Sequence, residues 1–165
     1  MRRFVLSAVA ALLGAAACTP KPSQTTTAAA VDTAAARHGI DSTRARYAAL
    51  QLAGDAPGIA ALYTEDATVD VFGVPRARGR AAIEASFKTD YGMRKFTVAE
   101  INPIATSVRT NEDASEIGTY HDMHDVKGVK DHEWGRYVVG LHKGADGVWR
   151  LSYVMAFPDS TKVEK

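Results

Sequence analysis

The chain has 165 residues, of which 46% are hydrophobic and 24% charged, an ordinary composition for one domain with a core of its own. Its 20 basic and 19 acidic residues leave a net charge of +1, which excludes the basic footprint that nucleic acid binding requires. A single cysteine excludes an internal disulfide framework.

The first predicted element is "MRRFVLSAVAALLGAAAC", where Arg2 and Arg3 precede an apolar run from Phe4 to Ala17 that ends in small residues. The run is too short for a comfortable membrane span and has the layout of an export signal. Residues 1–17 are therefore set apart as a signal peptide, and loss of the two arginines brings the mature charge to −1. "LLGAAAC" resembles a lipobox, which implies that the Cys18 thiol carries a diacylglycerol and that the protein is an exported lipoprotein, at the outer membrane or facing the periplasm. Ala15 stands where leucine is usual in a lipobox, so ordinary cleavage after Ala17, leaving a free thiol, is the alternative. Residues 18–33 are rich in Thr, Ala and Pro with no apolar period, and read as a disordered tether reaching roughly 20 Å.

Residues 34–165 form the domain. From Ala34 to Leu52, Ile40, Arg44, Tyr47, Leu50 and Gln51 keep helical spacing, with Gly39 predicted to divide the helix and Asp41 or Ser42 to cap its second piece. Gly54 closes this helix. Asp55 and Pro57 open another over "APGIAALYTED", with Ile59, Leu62 and Tyr63 on one face. A strand from Ala67 to Phe72 follows, then the break "GVPRARG" and a third helix over "RAAIEASFKTDYG", ended by Gly92. The rest falls into four strand-length stretches rich in β-branched and aromatic residues. Helices first and strands after indicate the α+β class: a curved antiparallel sheet wrapped around three N-terminal helices, with an apolar pocket at the open end of the cone.

That order, with "RYAALQLAGDAPGIAALYTEDATVDVFGVPRARGRAAIEASF" and the closing "GADGVWRLSYVMAF", resembles the nuclear transport factor 2-like superfamily, in its ketosteroid isomerase-like and SnoaL-like branches. The resemblance implies a Tyr on the first helix and two acids on strands as the chemical groups. Tyr47 falls on the tyrosine. Val71 falls on the general base, and the second acid falls near Val138 or Val139. Asp70 neighbours the base position but, by strand alternation, points to the opposite side of the sheet.

"YHDMHD", residues 120–125, concentrates histidines and acids, and alternation puts Tyr120, Asp122 and His124 on one face with His121, Met123 and Asp125 on the other. His121 or His124 is the candidate proton carrier beside Tyr47, since imidazole titrates near neutral pH. No metal site and no cofactor are expected. The three arginines of "PRARGR" read as a solvated loop, and His142 as a surface histidine. Tyr47, Tyr63, Val71, Phe87, Trp134 and Tyr137 are the expected pocket lining, with Trp149 a structural plug between sheet and helices. These residues point to a domain that binds a small apolar organic molecule. The alternatives are an isomerase or cyclase using Tyr47 and a pocket histidine, and a homodimer that pairs through an open sheet face.

Overall fold

The computed structural model describes residues 30–164, and the expected signal peptide, Cys18 and most of the tether lie outside them. Three helices come first in the fold, α1 (Thr33–Ala53), α2 (Ala56–Ala60) and α3 (Arg80–Met93), with β1 (Tyr63–Val71) and the short β2 (Ala77–Arg78) between the last two. Four long strands follow: β3 (Lys95–Val108), β4 (Asp113–Val126), β5 (Val129–Lys143) and β6 (Trp149–Val163). They form one sheet in the order β2-β1-β6-β5-β4-β3. This is the expected α+β cone, in which Ile40 of α1 and Ile83 of α3 join Tyr137, Val139, Leu141 and Trp149 of the sheet in one core.

Four local expectations are corrected. The sheet is not wholly antiparallel, because β1 lies parallel to β6; the crossover runs through α3 and the whole meander. Tyr63 opens β1 instead of closing a helix, since α2 stops at Ala60 after little more than a turn. Helix α1 runs unbroken through Gly39, capped by Asp32 Oδ1 accepting from the Ala35 amide at 2.9 Å. Gly39 is there for space: a Cβ would overlap the indole of Trp149, standing 2.9 Å from Nε1. Helix α3 likewise continues past Gly92 to Met93. At the end of α1, by contrast, Gly54 takes the left-handed conformation at φ 66° that a helix stop of this kind favours.

Two crossed pairs hold the middle of the sheet. Gly118 on β4 lies opposite Tyr137 on β5, and Tyr120 on β4 lies opposite Gly135 on β5. Each tyrosine ring covers the bare Cα of the facing glycine, and a Cβ at either glycine would overlap that ring. The hydroxyls then donate to carboxylates on the inner face, Tyr137 to Glu116 Oε1 at 2.8 Å and Tyr120 to Glu133 Oε1 at 2.9 Å.

Candidate functional site

A mostly apolar cavity of about 960 Å³ opens between α1, α3 and the inner face of the sheet. One side of it is a row of rings. Phe87 packs edge-on to Tyr47 at 6.3 Å and against Tyr91 at 5.6 Å, and Tyr91 leads through Phe96 to His124. Such rings supply large apolar area with fixed geometry.

The polar groups come from β4 and β5. Inward alternation along β4 brings Glu116, Tyr120, Asp122 and His124 to the cavity wall, and Glu133 of β5 stands directly opposite Asp122. The Asp122 carboxyl is pushed up from its ordinary 3.8 to about 7, chiefly by burial and also by Glu133 and Asp90, while Gln51 and Arg94 favour the charged form. A carboxyl so placed exchanges its proton near neutral pH, which is what general acid–base work requires.

Burial holds the Tyr47 hydroxyl protonated far above the usual range, and its neighbour Tyr63 acts in the same direction. Tyr47 is therefore a standing hydrogen-bond donor. Three buried atoms of these side chains have no hydrogen-bond partner: the Tyr63 and Tyr91 hydroxyls and Nδ1 of His124. Nε2 of His124 lies between Arg94 Nη1 at 3.5 Å and Asp131 Oδ2 at 3.7 Å. Burial, then the Arg94 charge, lowers the His124 pKa and keeps the ring neutral.

The three arginines of the wall are each engaged. Glu116, 3% exposed, takes Arg44 through two bonds of 2.5 and 3.1 Å. Asp90 Oδ1 takes Arg94 at 2.6 Å, and Asp70 takes Arg76. With its cations neutralised and Asp122 and Glu133 left over, the cavity suits an uncharged ligand better than an anion.

Of the residues expected at the pocket, Tyr47, Tyr63, Val71, Phe87 and Tyr137 line it, as does His124. Val71 faces in, while Asp70 is bound to Arg76 and is absent from the lining. Trp134 and His121 do not line the cavity. The β4–β5 register pairs them with each other, on the face opposite the Asp122–Glu133 pair, and Trp134 is 37% exposed there. The second acid position is apolar, with Val139 buried inside and Val138 outside. In the loop "PRARGR", Arg76 is held by Asp70, and Arg80 donates to the Tyr63 carbonyl at 2.7 Å and pairs with Glu65 at 2.5 Å. His142 pairs with Asp113 at 3.0 Å on the surface.

Sequence reasoning did not single out Asp122 or Glu133. The signal was present in the alternation of "YHDMHD", which puts Asp122 on the face of Tyr120 and His124; its raised pKa depends on burial, which no spacing reveals.

The profile of the SnoaL-like domain matches residues 32–154, the whole of the cone up to the middle of β6. The chain belongs to the SnoaL-like family. No curated protein matches it. Among solved structures, a ketosteroid isomerase-like protein from Erwinia carotovora atroseptica is similar with a TM-score of 0.68 at 18% identity, covering 74% of this chain and 95% of that one. A hexachlorocyclohexane dehydrochlorinase from Novosphingobium barchaimii gives 0.70 at 13% identity, covering 79% and 91%. A nuclear transport factor 2-like protein from Novosphingobium aromaticivorans gives 0.63 at 22%, covering 75% and 82%. At these identities the likeness establishes the shared cone of the nuclear transport factor 2-like fold.

Proposed function

We propose that this SnoaL-like domain is an exported, lipid-anchored protein that binds a small, uncharged, largely apolar molecule and moves a proton on it. The observation that carries the chemistry is Asp122, a buried cavity carboxyl raised to about 7 beside tyrosine hydroxyls that stay protonated. The role assigned earlier to a pocket histidine passes to this acid.

In the step proposed, the Asp122 carboxylate takes a proton from a carbon next to a carbonyl. The C–H bond breaks, its electron pair moves to the carbonyl oxygen, and the Tyr47 hydroxyl donates a hydrogen bond to the developing enolate. Asp122 then returns the proton at the same or another carbon. The names of two similar structures, an isomerase-like protein and a dehydrochlorinase, are in keeping with proton abstraction from carbon, a step with which isomerisation and elimination can both begin.

The test needs no known substrate. A panel of neutral cyclic ketones is incubated with the protein in D2O, and exchange of the α-hydrogens is followed by NMR while binding is measured separately. Exchange that disappears in Asp122→Asn, with binding retained, is the expected result. Binding without exchange in the wild type leaves a carrier and removes the enzyme; absence of both overturns the reading.

A further inference from the structure

On the outer face of the sheet, away from the cavity, four side chains form a line across β3, β4 and β5 to Glu164, just past the end of β6. Glu100 Oε2 lies 3.2 Å from His121 Nδ1, His121 Nε2 lies 2.9 Å from His132 Nδ1, and His132 Nε2 lies 3.0 Å from Glu164 Oε1. Carboxylates only accept, so the outer nitrogens, His121 Nδ1 and His132 Nε2, carry the donated hydrogens. If each ring carries only that one hydrogen, the inner nitrogens present lone pairs to each other across 2.9 Å. Two converging lone pairs repel unless a cation lies between them. That cation is either one extra proton or a metal ion.

The surroundings favour a metal of a particular kind. Met123 shares the outer face with His121 and lies directly opposite His132 in the β4–β5 register, where facing side chains stand about 5 Å apart at Cβ. The Trp134 ring is parallel to both imidazoles within 8°, its centroid 4.8 Å from His121 and 5.3 Å from His132. No group of three His, Cys, Asp or Glu side chains converges among the described residues; the register makes the Met123 thioether the candidate third donor. Two imidazoles with a thioether make a soft donor set, of the kind that selects monovalent copper. An aromatic face beside the ion adds attraction for a cation. Each histidine is already oriented by a carboxylate on its far nitrogen, the support that metal-ligating histidines need. Two nitrogens about 2.0 Å from one ion stand roughly 3.3 Å apart at a tetrahedral angle, so the gap opens by only a few tenths of an ångström. Two lysines are nearby: Lys130, 3.6 Å from Glu164 and drawn toward it, and Lys162, opposite His132 in the β5–β6 register.

We infer that His121, His132 and Met123 form a surface site for a soft monovalent cation, copper(I), flanked by Trp134. Silver(I), which does not change oxidation state, is the probe. The full chain carrying Cys18→Ser, to remove its one thiol, is titrated with silver(I) while tryptophan emission is recorded, and zinc(II) is titrated in parallel. One equivalent of silver(I) is expected to bind in the micromolar range or tighter and to change an emission signal that Trp134→Phe removes. His121→Gln and Met123→Leu each weaken binding by roughly tenfold or more, and Glu100→Gln by about tenfold through lost orientation. All of these positions are on the outer surface, and circular dichroism confirms that each variant folds. No saturable silver(I) binding, binding unchanged in His121→Gln, or zinc(II) binding tighter than silver(I) would each overturn the inference.

Discussion

Asp122 and Glu133 face each other across β4 and β5 with both carboxyl groups turned into the cavity. Glu133 is the nearest like charge in the register and one reason that Asp122 holds its proton. Replacing it by glutamine removes that repulsion while leaving an acceptor for Tyr120. Glu133→Gln is expected to move the Asp122 titration below about 7, by roughly one unit. Carbon-detected NMR of the Asp122 carboxyl reads the change; a midpoint that stays put would leave burial and Asp90 as the causes.

The same group makes stability fall with pH. Asp122 titrates near 3.8 when exposed and near 7 in the fold, so between those values the native state holds a proton that the unfolded chain has released. Stability is then lost as pH rises through that window, and the loss is complete above 7. Asp122→Asn is expected to equal the wild type near pH 4 and to exceed it at pH 8. Three units at about 1.4 kcal/mol each set a ceiling of about 4 kcal/mol. Urea denaturation at the two pH values measures it, and equal differences at both would refute the assignment.

Glu116 accepts from Arg44, Tyr137 and Thr106 on the inner face. Truncating it strands the Arg44 guanidinium, whose side chain is only 17% exposed and retains just the exposed Asp41 as a partner. Glu116→Ala is expected to cost about 3–5 kcal/mol in chemical denaturation. Glu116→Gln, which keeps the shape but not the charge, should cost less.

Alanine at Gly39 would ordinarily favour a helix by about 1 kcal/mol. Here it drives a methyl group into Trp149, and overpacking of that kind costs roughly 1–3 kcal/mol. Gly39→Ala should therefore destabilise the protein, and Trp149 emission should change with it. A more stable variant would show that the indole moves aside freely.

Much of this was legible before any coordinates. Alternation placed Val71 inside and Asp70 outside, and it grouped Tyr120, Asp122 and His124 on one face. What escaped depends on partners distant in sequence. Trp134 faces outward because β5 registers it with His121, and Gly39 stays helical because an indole 110 positions later needs its space. The raised proton affinity of Asp122 is a product of burial between α1, β4 and β5. The positions expected for acids from the resemblance fall on valines, Val71 and Val138 or Val139, whereas the buried cavity acid Asp122 comes from β4.

The two tyrosine rings seated on Gly118 and Gly135 also make the strands β4 and β5 fit each other in one way only. Sliding one strand by two residues keeps every side chain on its own face, yet in one direction it sets Tyr120 directly against Tyr137 and in the other Gly118 against Gly135, and either way both glycines lose their tyrosine. The pairing thus works as a key cut for a single lock position, which disfavours mispaired hairpins in this long meander.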